Sequence, residues 1–263
     1  MRTVTFRNGV VVEDPVGAAL RFLRHDKSYR TYDTLPVERD ATVSLEDIRA
    51  ANRVGGRMSA AESEELFSRR PALEESLQRI PSEASLCDAE DAIPWAGLAD
   101  LFRAATGVRG VGLAKLTKFL HKKRPALIPI LDSRLQAYLR TVDGGLPMKG
   151  LSLDVTAPAL MHSYKIDLDA NRDALTVVRR ELNERGYTLT ECRILDLYTW
   201  AYAGDVNPPW VAERASGDPV RQRETLPTEH TAGVRLSNAF EAALEYMLHV
   251  HGGHTLKGTT IPY

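Results

Sequence analysis

The residues best suited to chemistry lie between Gly107 and Arg134. Gly110-Val111-Gly112 precedes a lysine-rich amphipathic stretch, and Asp132 follows Gly110 by 22 residues. Glycine accepts positive φ and, lacking Cβ, lets another backbone come close. Free amides and the dipole at the start of the helix that follows favour an anion, and Lys115, Lys118, Lys122, Lys123 and Arg124 come next, so a phosphate is the natural guest. Asp132 brings a carboxylate, which can stabilise a developing cation or draw a proton from an attacking water. The same residue has a purely structural explanation. Ser133 can begin a helix, and Asp is a preferred N-cap worth about 1 kcal/mol. Both readings stand, and one residue can serve both.

Charge points the same way as the glycines. From Arg103 to Arg140 nine Lys or Arg stand against one acid, Asp132, a net of +8 within a chain whose formal net charge is −1. Such local asymmetry implies a polyanion partner.

These residues need elements to hold them. Trp95, Leu98, Leu101 and Phe102 recur at helical spacing, as do Leu116, Phe119 and Leu120, so the glycines join two amphipathic helices in a helix-hairpin-helix. Asn8-Gly9 between Val4-Thr5-Phe6 and Val10-Val11-Val12 predicts a short β-hairpin. Asp14-Pro15 predicts a capped helix start, and Ser44 with Asp47 and Ser59 with Glu62 are capping boxes. Leu73, Leu77 and Ile80 mark a helix stopped by Pro81, and Pro94 begins the helix leading to the hairpin. Residues 144–165 are rich in loop signals, with His162 a surface histidine. Leu168, Leu175, Val178 and Leu182 then predict a helix ending at Gly186, and Ile194, Leu197, Tyr198 and Ala201 another ending at Gly204.

At this point a resemblance can be stated. Gly110-Val111-Gly112, an apolar helix, a proline, a short apolar run and Asp132 resemble the core of the helix-hairpin-helix DNA glycosylases of the endonuclease III type, over roughly residues 30–203. The resemblance implies a mainly α fold. It also implies a DNA phosphate, with a monovalent cation, held at Gly110 and Gly112, and a role for Asp132 in cleaving an N-glycosidic bond. Lys115, Lys118, Lys122 and Arg134 are then the expected DNA contacts. The lysine that bifunctional members use as a Schiff-base nucleophile would fall at Ala114. Lys115 is one residue on, about 100° around the helix, which argues against lyase activity. The wording Lys122-Lys123-Arg124-Pro125, then Ile128 to Arg134, with the string from Cys192 to Trp200, is similar in finer detail to an uncharacterised bacterial family of this general type.

Composition bounds the rest. With 263 residues and 43% hydrophobic content the chain can bury one sizeable core or two modest ones. No apolar run reaches the roughly 20 residues of a membrane span and no signal peptide is evident, so a cytoplasmic location without membrane contact is expected. Cys87 and Cys192 read as reduced core thiols, and neither a metal site nor any cofactor beyond the hairpin cation is expected. The oligomeric state is not legible.

The domain reading is 1–204 as the helical domain with a small N-terminal β ornament, 205–232 as linker, and 233–263 as a helical tail. Within that tail the stretch from Ala243 to Tyr263, containing His251 and His254, resembles the first helix and loop of HD-type (p)ppGpp hydrolases. Leu256 replaces an arginine usual there, and the expected reading is a truncated HD-like remnant. Three functions therefore stand: a DNA-binding protein with monofunctional glycosylase chemistry, a non-catalytic nucleic-acid or protein interaction domain, and a nucleotide hydrolase fragment.

Overall fold

The structure is a computed structural model, and it describes residues 3–36, 40–143, 146 and 151–203. The linker and tail expected over 205–263 lie outside the described residues, as does the HD-like resemblance.

Asn8-Gly9 turns the chain as anticipated, with Gly9 at φ 85°, pairing β1 (Val4–Thr5) antiparallel with β2 (Val11–Val12). A two-stranded ribbon is marginal alone, and here its open edge is closed by one side chain. Asn171 Oδ1 accepts from Thr5 N at 2.8 Å, while its Nδ2 donates to Thr5 O at 2.9 Å, as a third strand would. Arg7 reaches Asp167, Asp143 and the Ser163 carbonyl, tying the ribbon to the helices.

The helical part begins where the capping signals fall. Asp14 Oδ1 accepts Gly17 N at 2.9 Å and starts α1 (Pro15–His25), followed by α2 (Lys27–Asp33). Ser44 and Asp47 open α3 (Leu45–Arg53), and Ser59 and Glu62 open α4 (Ala60–Ser68), in each case with the acid accepting the cap residue's N–H. Then come α5 (Arg70–Gln78), α6 (Trp95–Ala104), α7 (Leu113–His121) and α8 (Ser133–Val142). The series closes with α9 (Leu153–Ala170), α10 (Arg172–Glu184) and α11 (Glu191–Tyr198), the last running into a π-helical turn over Thr199–Ala203. Among the described residues the protein is mainly helical, and no helix is long and apolar enough to cross a membrane.

Two expectations are corrected. Residues 153–165 are not loop but most of α9, which carries Pro158 in its interior. Leu160, Met161, Tyr164 and Leu168 are buried, but so are Asp154, Lys165 and Asp167, so the helix has no clean polar face for periodicity to detect. The helix expected to continue from Leu168 to Gly186 breaks at Asn171, whose side chain is committed to the β ribbon.

The two helices joined by the glycines pack mainly on other partners. α6 lies on α5 and α9, whereas α7 lies on α3. Phe102, Leu116, Phe119 and Leu120 enter one core with Leu98, Leu139, Leu160 and Ile194.

Candidate functional site around Asp132

Asp132 is held from both sides. The segment before it, Leu127 to Leu131, is fully buried, and Thr117 Oγ1 accepts Leu131 N at 3.1 Å. After it, Asp132 caps α8 with a single oxygen, Oδ1, which accepts Arg134 N and Leu135 N at 3.0 Å each. Oδ2 makes no hydrogen bond among the described residues, and the side chain is half-buried. The N-cap explanation is therefore correct, and it uses only half of the carboxylate.

The charges around it are unusual for a helix cap. Burial lowers the Lys118 ammonium, while the carboxylates of Asp132 and Asp196 act to raise it; Nζ also donates to Gly55 O at 3.3 Å. Asp196, buried on α11, is raised to about 7, first by burial and further by the charge of Asp132, with Arg193 opposing. Arg193 itself is buried and bonds Asp33 through Nε at 2.9 Å and Nη2 at 3.2 Å, and Asp196 through Nη1 at 2.5 Å. The arrangement is an exposed oxygen on Asp132, a partly desolvated lysine, and a buried acid poised near neutrality.

The glycine turn is less open than its sequence implies. Gly107 and Gly110 adopt φ 85° and 79°, as a tight turn requires. Gly112 is the N-cap of α7 without a side-chain cap, and a Cβ there would meet nothing within 4 Å. The face at Gly110, however, is already approached. A Cβ there would collide with the carboxylate of Glu62, which bonds Lys115 Nζ at 2.6 Å and accepts Ser59 N at 2.8 Å. Those two donors hold the Glu62 carboxyl below its usual range.

Much of the basic run is engaged within the protein itself. Lys122 is 7% exposed, and its Nζ lies 3.1 Å from Leu35 O and 3.4 Å from Asp33 O at the end of α2, over the Tyr32 ring. Lys123 pairs with Asp47 of α3 at 3.1 Å. Arg124 donates to Leu77 O and Ile80 O at 2.6 and 2.8 Å, closing the end of α5. Three consecutive cations thus staple three different helices, two of them at carboxyl ends where positive charge is favoured. Arg134 lies over the Trp200 ring at 4.5 Å with Nη1 on Trp200 O at 2.9 Å, and Arg103 is shared by Asp100 and Asp154. Of the cations from Arg103 to Lys118, Arg109 and the acid-paired Arg103 are exposed, and Lys118 and the Glu62-paired Lys115 are half-buried.

Sequence reasoning did not select Glu62, Asp196 or Arg193. The signal for the last two was present, because an Arg and an Asp three residues apart on the otherwise apolar Ile194, Leu195, Leu197, Tyr198 helix read as a buried pair. Glu62 was legible only as a capping acid. Among the described residues no group of three or more His, Cys, Asp or Glu could hold a metal ion, and Cys87 and Cys192 are free thiols.

No curated protein and no solved structure matches this chain. A family model does, over residues 18–203, which runs from within α1 to the end of the π-helical turn. The chain belongs to DUF6308, a family of unknown function.

Proposed function

We propose that this protein hydrolyses an N-glycosidic bond in a nucleic acid, with Asp132 as the central carboxylate. The observation that carries the reading is the division of labour within that side chain: Oδ1 is fixed on the α8 amides while Oδ2 makes no hydrogen bond among the described residues. A carboxylate aimed by its own helix needs no reorganisation before reaction. In the step, the glycosidic bond breaks and the base leaves with the electron pair. Water adds to the sugar carbon and its proton passes to Asp132, a role worth about 10²–10⁴-fold by general-base magnitudes. The likeness to helix-hairpin-helix DNA glycosylases supplies the substrate class. Ala114, where a lysine nucleophile would stand, supports an intact abasic strand as product.

The test is base release from a panel of duplexes carrying uracil, hypoxanthine, 8-oxoguanine or an alkylated purine, read as strand cutting only after alkali. Activity that is lost in Asp132→Asn supports the proposal. A panel with no released base overturns it.

One observation favours a second reading, a non-catalytic nucleic-acid or protein interaction domain. The Glu62 carboxylate at Gly110 and the commitment of Lys122, Lys123 and Arg124 to the interior leave little positive charge at the turn. Duplex binding without base release would select that reading.

A further inference from the structure

A polar cleft lies between the end of α2, residues 82–85, the end of α7 and residues 188–191, with a volume of about 280 Å³. His121 lies in its wall. The ring is 2% exposed, and Nδ1 sits 2.6 Å from Ile128 O. A carbonyl oxygen can only accept, so Nδ1 carries the proton and Nε2 presents a lone pair. Nε2 has no hydrogen-bond partner among the described residues, and since it is not sealed from solvent it faces the cleft. Burial, with Arg193 and Lys122 nearby, lowers this histidine to about 3, so it stays a neutral acceptor.

Most of the other charged groups lining the cleft are already engaged, and Glu83 is exposed. Arg193 is held by Asp33 and Asp196, Arg179 by Glu191 at 2.9 and 3.0 Å, and Lys122 by two carbonyls. Among the described residues no group of three or more His, Cys, Asp or Glu surrounds the ring to hold a metal ion. What remains unsatisfied is one buried acceptor between the apolar walls of Pro125, Ala126 and Leu189. The adjoining cleft of about 320 Å³ shares Asp33, Thr188 and Leu189 with it and adds Leu23, Leu35 and Tyr187. A site at the lower end of the usual range of roughly 300–1,000 Å³ suits a single ring system.

We infer that this cleft binds a neutral heterocycle of nucleobase size through an N–H donated to His121 Nε2. The cleft shares Arg193 with the surroundings of Asp132 but does not use the Asp132 carboxylate, so its ligand can be tested apart from the glycosidic chemistry.

The probes are uracil, which has two N–H donors, and 1,3-dimethyluracil, which has none, titrated at millimolar concentration into the full chain labelled with ¹⁵N in histidine. The expected result is a saturable shift of the His121 Nε2 resonance with uracil and none with the dimethyl compound. Thr188→Trp, an exposed position on the rim of both clefts, should abolish the shift while leaving the thermal midpoint unchanged. No shift with uracil, an equal shift with 1,3-dimethyluracil, or an undiminished shift in the folded Thr188→Trp protein would each overturn the inference.

Discussion

Glu62 and Lys115 form a 2.6 Å ion pair directly over Gly110, so the position where a phosphate would approach the glycine turn is held by a carboxylate from α4. A backbone phosphate seeking this face must displace or share that pair.

Replacing Glu62 should therefore strengthen duplex binding if the turn is the contact surface. Glu62→Gln keeps the capping geometry at the start of α4, since Gln serves the same box. It releases Lys115 and removes one negative charge. Fluorescence anisotropy with a labelled duplex should show tighter binding and a steeper salt dependence, by about 0.9 in log–log slope for each added phosphate contact. Unchanged affinity and slope would move the nucleic-acid surface away from the turn.

The Lys122 to Arg124 run should report on stability rather than on binding. Arg124→Ala leaves Ile80 O without its buried guanidinium donors and Leu77 O with only the Ile80 N–H at 3.2 Å. The cost expected is about 2–4 kcal/mol, from unsatisfied buried acceptors and lost packing. Lys118→Ala, at a half-buried position with one long hydrogen bond to Gly55 O, should cost less than about 1 kcal/mol. Chemical denaturation of the two variants decides it, and equal midpoints would refute the staple account.

Stability should fall on mild acidification. His121 is lowered to about 3 and His162 to about 4, both chiefly by burial. Unfolded histidines titrate near 6.5, so the unfolded chain binds two more protons than the native one between about pH 4 and 6.5. Stability from these groups is complete above that window and lost as pH falls through it. Asp196 acts oppositely, because a carboxyl raised to about 7 favours the native state below its unfolded value and loses that advantage as pH rises toward 7. Two protons taken up against one released leaves a midpoint that declines from pH 6.5 to 4.5. His162→Gln should flatten the curve, and a wild-type midpoint that rises on acidification would contradict the assignment.

How much could be read without the structure follows from which signals are local. Asp14, Ser44, Ser59 and Asp132 announced helix starts because capping is decided within three residues. α9 was missed because its burial on most sides leaves no amphipathic period, and an internal Pro158 imitates a loop. The placement of the +8 segment's cations is decided at long range. Whether Lys122, Lys123 and Arg124 face solvent depends on where Leu35, Asp47 and Ile80 arrive, and those residues are 44–87 positions away in the chain. Asp132 was legible by type and spacing, but its neighbour Asp196 reaches it only through the packing of α11.

Asparagine and alanine at position 132 separate cap from chemistry. Asn is as good an N-cap as Asp, since its side-chain oxygen can accept the same Arg134 and Leu135 amides, so Asp132→Asn should leave the thermal midpoint nearly unchanged. It cannot take a proton or carry the charge that stabilises an oxocarbenium-like sugar, so base release should fall by about 10²-fold or more. Asp132→Ala should lose the same activity and about 1 kcal/mol of stability besides. Removing the Asp132 charge also relieves Asp196, whose carboxyl it helps to raise, so the carbonyl resonance of Asp196 should titrate at lower pH in Asp132→Asn than in the parent. Duplex affinity should survive both changes, because neither touches the glycine turn or Lys115. Full base release by Asp132→Asn would reduce Asp132 to a cap. An Asp196 titration that does not move would show that the two carboxylates are not coupled, and would remove Asp196 from the site.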